Sequence, residues 1–211
     1  MADALLVLIV LVNLSLLGGR RIAGCIGRVA VQGLAVSVCA LVAERAPHPG
    51  RLLLLAALGV AVKGLLVPWL LRRAMKTAEV VEETRPPVGF TASTVIGLAL
   101  LGVAFVVAGR LPAVDPGLPP LMLPVAFTTM LSGLLLVIVR KTALLQVIGY
   151  LMMENGIFMA GIALVSGIPW LVELGVLLDA ATAVLVMSAV IGHISRVFDH
   201  VDMDRLRNLQ G

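Results

Sequence analysis

Long runs of apolar residues alternate with short polar segments along most of this sequence. A helix needs about 20 residues to cross a bilayer, and windows of that length predict seven membrane-spanning helices. The predicted spans are 4–17, 22–43, 52–71, 90–108, 118–139, 142–165 and 170–194. The pattern therefore indicates an all-α, polytopic integral membrane protein.

The first apolar run is the shortest, and a signal peptide is the alternative interpretation. Ala2 and Asp3 provide no basic segment before that run, and the first arginines, Arg20 and Arg21, come after it. A signal peptide has the opposite order. We therefore expect the first run to be a transmembrane helix.

Composition agrees with a membrane protein, and the placement of charge gives an orientation. The chain is 60% apolar and 13% charged, with a mean hydropathy of +1.10, whereas soluble domains are about 25% charged. Twelve cations fall on the side that holds the loops after the odd-numbered spans and the C-terminal tail. Three, Arg45, Arg51 and Arg110, fall on the other side, and Lys63 lies within the third span. The positive-inside rule then predicts an external N-terminus and a cytoplasmic C-terminus.

Two polar breaks divide the chain. Residues 72–87 are the most polar linker and end in Pro86 and Pro87, which do not fit inside a helix, and residues 111–124 are rich in Pro and Gly. We expect an N-terminal three-helix unit with its linker at 1–87, a connecting fourth helix at 88–117, a C-terminal three-helix unit at 118–195 and a cytoplasmic tail at 196–211. A weak repeat of basic pair, glycine and polar residue also suggests a duplicated three-helix unit.

Three ionisable residues lie near the middle of apolar spans: Lys63, Glu154 and Asp179. A charge at mid-bilayer costs about 2.5 to 3.5 kcal/mol on insertion scales, so such residues commonly handle ions or protons. Glu154 is about 18 Å along its helix from Lys141, where a desolvated carboxyl can exchange a proton near neutral pH. The alternative for each residue is a structural hydrogen bond or ion pair that fixes helix contacts.

Asp179 is about 14 Å into the last span and is a candidate second acid facing Glu154. We expect Lys63 to lie in a proton path or to pair with a carboxylate, next to a kink at Pro68. His193, near the cytoplasmic end of the last span, is a candidate proton carrier to the surface, although an interfacial histidine is more often only solvated. We predict proton transfer by Glu154, Asp179, Lys63 and His193.

Other polar residues within the spans extend either a hydrated path or a set of helix-to-helix hydrogen bonds; they are Asn13, Gln32, Ser37, Thr128, Thr129 and Ser132. Cys25 and Cys39 have neither metal-site nor redox spacing. The sequence has no cysteine cluster, paired axial histidines or glycine-rich nucleotide loop. We expect no cofactor and no metal in this chain.

The stretch from Val139 to Gly156, together with the segments 172–175 and 178–180 and the Lys63 to Pro68 segment, resembles the hydrogenase-4 component E family. The last three spans are similar to the small NuoK-type subunit of respiratory complex I. The resemblance covers most of the chain, including its length and its seven-span layout.

This resemblance implies a non-catalytic membrane subunit of a complex-I-related group 4 [NiFe] hydrogenase or formate hydrogenlyase. It implies antiporter-like and quinone-site-like membrane subunits and hydrogenase large and small subunits as partners. The Ni-Fe and iron-sulfur centres would belong to those partners, and no nucleic acid is implied.

The resemblance also implies roles for two acids. Asp179 takes the position of the third-helix acid of the NuoK pattern. The second-helix acid of that pattern falls at Leu151, whereas the carboxylate of this chain is Glu154, three residues and about 4.5 Å further along. This departure keeps the acid on a similar face of the helix.

Two other functions remain open at this point. A stand-alone secondary transporter agrees with the weak duplication, although the sequence has no unwound substrate site. A structural scaffold subunit would use the same buried charges only to hold helices together.

Overall fold

The computed structural model describes residues 2–43, 57, 59–77, 86–111 and 118–164, and all elements in this part are helices. We number the helices α1 (Ala2–Leu17), α2 (Ile22–Ala43), α3 (Val67–Thr77), α4 (Phe90–Ala108), α5 (Met122–Val139) and α6 (Ala143–Leu164). A π-helical turn, Val62–Leu66, leads directly into α3.

Four of these helices contain segments that are long and apolar enough to cross a membrane. The segments are Ile22–Cys39, Phe90–Ala108, Met122–Val139 and Ala143–Leu164, and α1 is apolar but shorter. The all-helical, multi-pass character is therefore confirmed. The count of seven spans and the orientation stay predictions, and the seventh predicted span lies outside the described residues.

The helix in the third predicted span continues past residue 71. A polar linker was expected from residue 72, but α3 runs to Thr77. Leu71 and Ala74 are buried, while Arg72, Arg73 and Lys76 are exposed. This last part is an amphipathic helical segment, which a window of mean hydropathy scores as polar.

Helices α5 and α6 pack closely enough for their backbones to touch. A Cβ added to Gly149 would lie 2.8 Å from Val137 N, and one added to Gly133 would lie 2.7 Å from Gly149 O. A Cβ on Gly156 would meet the backbone of Met130 and would lie 2.8 Å from Ala126 O. The helices approach this closely because small residues let two helix backbones come together.

Helix α4 lies on the outside of the bundle, against α5 and α1. Only 17% of its apolar segment is buried. Its buried residues form a stripe of small side chains, Ser93, Gly97, Ala104 and Ala108. A Cβ on Gly97 would collide with the Leu17 side chain, so the stripe sets how closely α4 approaches α1.

Arg140 joins three helix ends although the sequence suggested an ordinary loop cation. Its side chain is 1% exposed and donates a hydrogen bond to the carbonyl of Leu17 at the end of α1. Its guanidinium carbon lies 4.4 Å from the centre of the Phe90 ring, at the start of α4. A cation bonded to the last carbonyls of a helix also stabilises the negative end of the helix dipole.

Within the described residues, the core consists of two apolar clusters that lie one after the other along the helices. The first cluster contains Leu16 and Leu17 of α1 with residues of α2, α3, α5 and α6, among them Ile22, Ile26, Leu71, Leu136, Leu145 and Ile148. The second contains Leu6 and Ile9 of α1 with residues of α2, α5 and α6, among them Val36, Cys39, Met122, Ala126, Met159 and Ala163.

Candidate functional site

A layer of polar side chains separates the two apolar clusters. In α1, Asn13 lies between Ile9 of the second cluster and Leu16 of the first. The corresponding position between the two clusters is occupied by Gln32 in α2, Thr129 in α5 and Asn155 in α6. These three side chains and that of Asn13 are at most 4% exposed. We call these four residues, together with Lys63, the polar layer. Gln32 lies ten residues after the start of α2, about 15 Å along the helix, so the layer lies near the middle of this apolar helix.

One continuous series of hydrogen bonds links the polar layer. Lys63 Nζ donates to Asn155 Oδ1 at 2.7 Å, and Asn155 Nδ2 donates to Gln32 Oε1 at 3.3 Å. Gln32 Nε2 donates to Asn13 Oδ1, and Asn13 Nδ2 donates to Thr129 Oγ1 at 2.8 Å. The series crosses from the π-helical turn through α6, α2 and α1 to α5.

The series ends on the backbone of α5. Thr129 Oγ1 donates to the carbonyl of Val125, four residues earlier, at 2.7 Å. Buried polar groups are costly without hydrogen bonds, so these bonds keep the layer stable in an apolar surrounding.

The π-helical turn explains how Lys63 enters the bundle. Val67 N donates to Val62 O, five residues earlier, where an α-helix would use the carbonyl four residues earlier. Pro68 has no N–H to donate, which removes one α-helical bond directly after this turn. The π-helical turn thus lies directly before Pro68, where a kink was expected, and such turns are frequent at functional sites.

The Lys63 side chain is held along its length. A Cβ on Gly33 would lie 3.1 Å from Lys63 Cβ and 3.2 Å from Lys63 Cδ, so the apolar stem runs across a glycine of α2. The ammonium nitrogen lies 5.3 Å from the centre of the Phe158 ring. The ring and the Asn155 oxygen both stabilise positive charge at that position.

Lys63 and Glu154 share a small cavity. It has a volume of about 20 Å³ and is lined by Lys63, Glu154, Asn155 and the apolar or small residues Val29, Gly33, Val67 and Leu151. A cavity of this size has room for about one water molecule, and the polar side chains of Lys63, Glu154 and Asn155 stand on its otherwise apolar wall. Glu154 itself is 3% exposed, so the cavity brings a buried carboxyl and a lysine together.

The same cavity places the two candidate positions of the second-helix acid together. Leu151, where the NuoK pattern has its acid, and Glu154 both line it. The three-residue displacement noted in the sequence therefore leaves the carboxyl facing the same space.

The structure brings together two of the four predicted proton-transfer residues, Lys63 and Glu154. Asp179 and His193 lie outside the described residues. Among the other polar residues, Asn13, Gln32 and Thr129 make helix-to-helix hydrogen bonds. This was the second of the two alternatives that the sequence left open, the first being a hydrated path. Thr128 and Ser37 donate to carbonyls of their own helices, Pro124 O and Gly33 O.

Sequence reasoning missed Asn155 as a site residue. It stands directly after Glu154 and was treated as part of the motif, although an amide in the middle of an apolar span is itself a signal of a buried hydrogen bond. The described residues contain no group of three or more histidine, cysteine, aspartate or glutamate side chains that could hold a metal ion.

Comparison with known proteins gives matches over nearly the whole chain. The family profile of NADH-ubiquinone/plastoquinone oxidoreductase chain 4L matches residues 121–211. An uncharacterised protein of Mycobacterium tuberculosis is 30% identical over 203 residues, which cover 96% of this chain and 92% of that protein. Hydrogenase-4 component E of Escherichia coli (strain K12) is 31% identical over 191 residues, which cover 89% of this chain and 84% of that protein. No solved structure matches the chain significantly.

Proposed function

The chain belongs to the hydrogenase-4 component E family, and on this premise we propose that it is a membrane subunit of a complex-I-related [NiFe] hydrogenase of the formate hydrogenlyase type. Within that complex it contributes buried ionisable residues to proton translocation coupled to electron transfer. The observation that carries the proposal is the cavity shared by Lys63 and Glu154, beside the polar layer.

The proposed chemistry is proton exchange at the Glu154 carboxyl. A carboxyl and an amine beside a water-sized space can pass a proton between them through one water molecule. Redox events in partner subunits would change the electrostatic potential at the cavity and so change the protonation of Glu154. Asp179 and His193 are the proposed continuation of the path in the last span.

The proposed partners are antiporter-like and quinone-site-like membrane subunits and the hydrogenase large and small subunits. The large and small subunits would carry the Ni-Fe and iron-sulfur centres, and the assembly would lie in the bacterial or archaeal cytoplasmic membrane. Affinity purification of the tagged chain in mild detergent, followed by mass spectrometry, tests this composition. Recovery of the chain alone would contradict the proposal and favour a stand-alone transporter.

The translocation role is tested by Glu154→Gln, which keeps the size of the side chain and removes its ionisation. Inverted membrane vesicles that contain the complex should lose most hydrogen-linked proton uptake, while hydrogen turnover with an artificial electron donor continues. Asp3→Asn is the matched control, because Asp3 is an exposed carboxylate at the start of α1. If Glu154→Gln and Asp3→Asn both translocate protons like the unmodified chain, Glu154 is not a transfer residue.

A scaffold role is the second candidate, and the hydrogen-bond series through four helices favours it. A scaffold predicts that Glu154→Gln and polar-layer variants lower the yield of assembled complex. Complexes that do assemble would then pump normally. The ratio of proton uptake to hydrogen turnover per assembled complex separates the two roles.

A further inference from the structure

The outward face of α3 changes from apolar to basic along its length. Leu65, in the π-helical turn, and Trp69 are 72% and 55% exposed. Arg72 and Lys76 follow on the same side, because residues three or four positions apart lie on one face of a helix, and both are exposed. These four residues form a stripe that presents apolar surface first and two cations after it.

The inward face of α3 fixes the direction of this stripe. The residues on that face are at most 6% exposed and belong to the first apolar cluster, namely Val67, Leu70, Leu71 and Ala74. Their packing sets the rotation of α3 about its axis. The stripe therefore points away from the bundle, toward whatever surrounds the protein in the membrane.

Trp69 stands where the stripe changes from apolar to basic. The guanidinium carbon of Arg73 lies 5.6 Å from the centre of the Trp69 ring, within the range of a cation–π contact. Exposed tryptophans are enriched at the level where the hydrocarbon core of a membrane meets the headgroups. The stripe thus offers apolar surface for an acyl chain on one side of Trp69 and cations for a headgroup on the other.

The described residues place no acid side chain at the basic end of the stripe. In the part of the chain that the structure describes, the acids are Asp3 and Glu154. Glu154 is buried, and Asp3 begins α1, whereas Leu17 at the other end of α1 packs in the same cluster as Leu71. The chemistry that complements the stripe is therefore an anion attached to an apolar chain.

We propose that the stripe binds an anionic phospholipid, with an acyl chain along Leu65 and Trp69 and the phosphate between Arg72 and Lys76. Side chains four positions apart on a helix have Cβ atoms about 5 to 6 Å from each other, so both cations can reach one phosphate. A guanidinium can bind that phosphate through two parallel hydrogen bonds, while the ammonium adds a point charge. The proposal is independent of proton transfer, since no residue of the stripe lines the cavity of Lys63 and Glu154.

The test is the quenching of Trp69 fluorescence by brominated phospholipids. The chain has two tryptophans, Trp69 and Trp170, so Trp170→Phe leaves Trp69 as the sole tryptophan. The full chain with this substitution is reconstituted into mixed bilayers of phosphatidylcholine and phosphatidylglycerol. One lipid or the other carries bromine on its acyl chains, which quenches an indole in contact with it. The quantity measured is the association constant of phosphatidylglycerol at Trp69 relative to that of phosphatidylcholine.

We expect phosphatidylglycerol to be preferred about fivefold at Trp69, the effect of roughly one cation beside an anionic headgroup. The double variant Arg72→Gln with Lys76→Gln should lower this preference to about one, because both cations of the stripe are lost. The double variant Arg72→Lys with Lys76→Arg exchanges the two cations and should keep most of the preference. It separates the loss of charge from a disturbance of α3.

Arg20→Gln with Arg21→Gln is the matched control. Both residues are exposed cations in the link after α1, at the same end of the bundle as the basic end of the stripe. This variant removes as much charge but leaves the stripe intact, so the preference at Trp69 should remain. An equal loss in the control and in the stripe variant would mean that the lipid responds only to the net charge of this end, and the proposal would be wrong.

A preference near one in the chain with an intact stripe would also overturn the proposal. The cations would then be neutralised within the chain, where residues 78–85, outside the described residues, contain three glutamates, or they would serve an acidic surface of a partner subunit. Loss of proton translocation in Glu154→Gln does not bear on this result, so the lipid site and the proposed function can fail separately.

Discussion

Helices α4 and α5 are of similar length and hydropathy, yet they are held in the fold by different means. Helix α5 meets α6 through glycines at backbone distance and meets α1 through a buried hydrogen bond. Helix α4 is held by a stripe of small residues and by its first residue, Phe90, while most of its surface is exposed. Hydrophobicity alone thus places a helix in the membrane, but glycine positions and polar side chains decide which helices form the interior.

The largest effect should come from filling the α5–α6 contact. In Gly133→Ala the new methyl would lie 2.7 Å from Gly149 O and would meet the Met153 backbone, so the helices must separate. We expect a loss of about 2 to 3 kcal/mol of stability, measured as thermal unfolding in detergent, and poor assembly. Gly102→Ala in α4 is the control, because nothing lies within 4 Å of its Cβ position; equal melting of the two variants would refute the importance of this contact.

The next largest loss of stability should come from removing the contact between Arg140 and the first residue of α4, Phe90. Arg140→Leu removes the hydrogen bond to Leu17 O and the guanidinium over Phe90. We expect a loss of about 1.5 to 3 kcal/mol, the range for hydrogen bonds that involve a charged group. Thermal unfolding in detergent and protease sensitivity of the segment around α4 are the measurements.

Arg20→Leu is the control for this variant. Arg20 also lies over Phe90, at 5.0 Å, but it is exposed, so its loss should cost less than about 1 kcal/mol. If Arg20→Leu destabilises the protein as much as Arg140→Leu, the burial of Arg140 is not what matters.

A smaller effect tests whether the polar layer acts as a unit. Gln32→Leu should cost about 1 to 2 kcal/mol, because Asn13 and Asn155 each lose a partner. The double variant Asn13→Leu with Gln32→Leu should cost less than the sum of the single variants, since the two amides share a bond. Strict additivity in unfolding measurements would mean that the side chains act separately. Ser37→Ala, which affects only a bond within α2, should have little effect.

The sequence was sufficient for the helices and for part of the site. The predicted spans 22–43 and 90–108 match α2 and α4, because their apolar runs end at polar or glycine residues. Lys63 and Glu154 were identified from the cost of a charge in an apolar run, and they do share a cavity. Such predictions need only the local composition and the position of a charged residue within an apolar run.

What the sequence did not indicate depends on contacts between distant segments. Arg140 reads as a loop cation unless the positions of Leu17 and Phe90 are known. Asn155 is a site residue because it accepts a hydrogen bond from Lys63, which is 92 residues away in sequence. The hydrogen-bond series of the polar layer requires the side-chain conformations of four helices and a π-helical turn, and periodicity contains no such information.

The smallest expected effect is on the exposed face of α4. Val95 and Val106 are 60% and 59% exposed, so Val95→Ala and Val106→Ala should change the unfolding of the isolated chain by less than about 0.5 kcal/mol. Lipid chains and a partner helix are equally apolar, so stability of the isolated chain does not distinguish what covers this face. The yield of the assembled complex does distinguish them. An unchanged yield means that α4 faces lipid. A lower yield, with unchanged stability of the isolated chain, means that a partner subunit packs against α4. That contact would then hold α4 in the way that the glycine contacts hold α5 and α6.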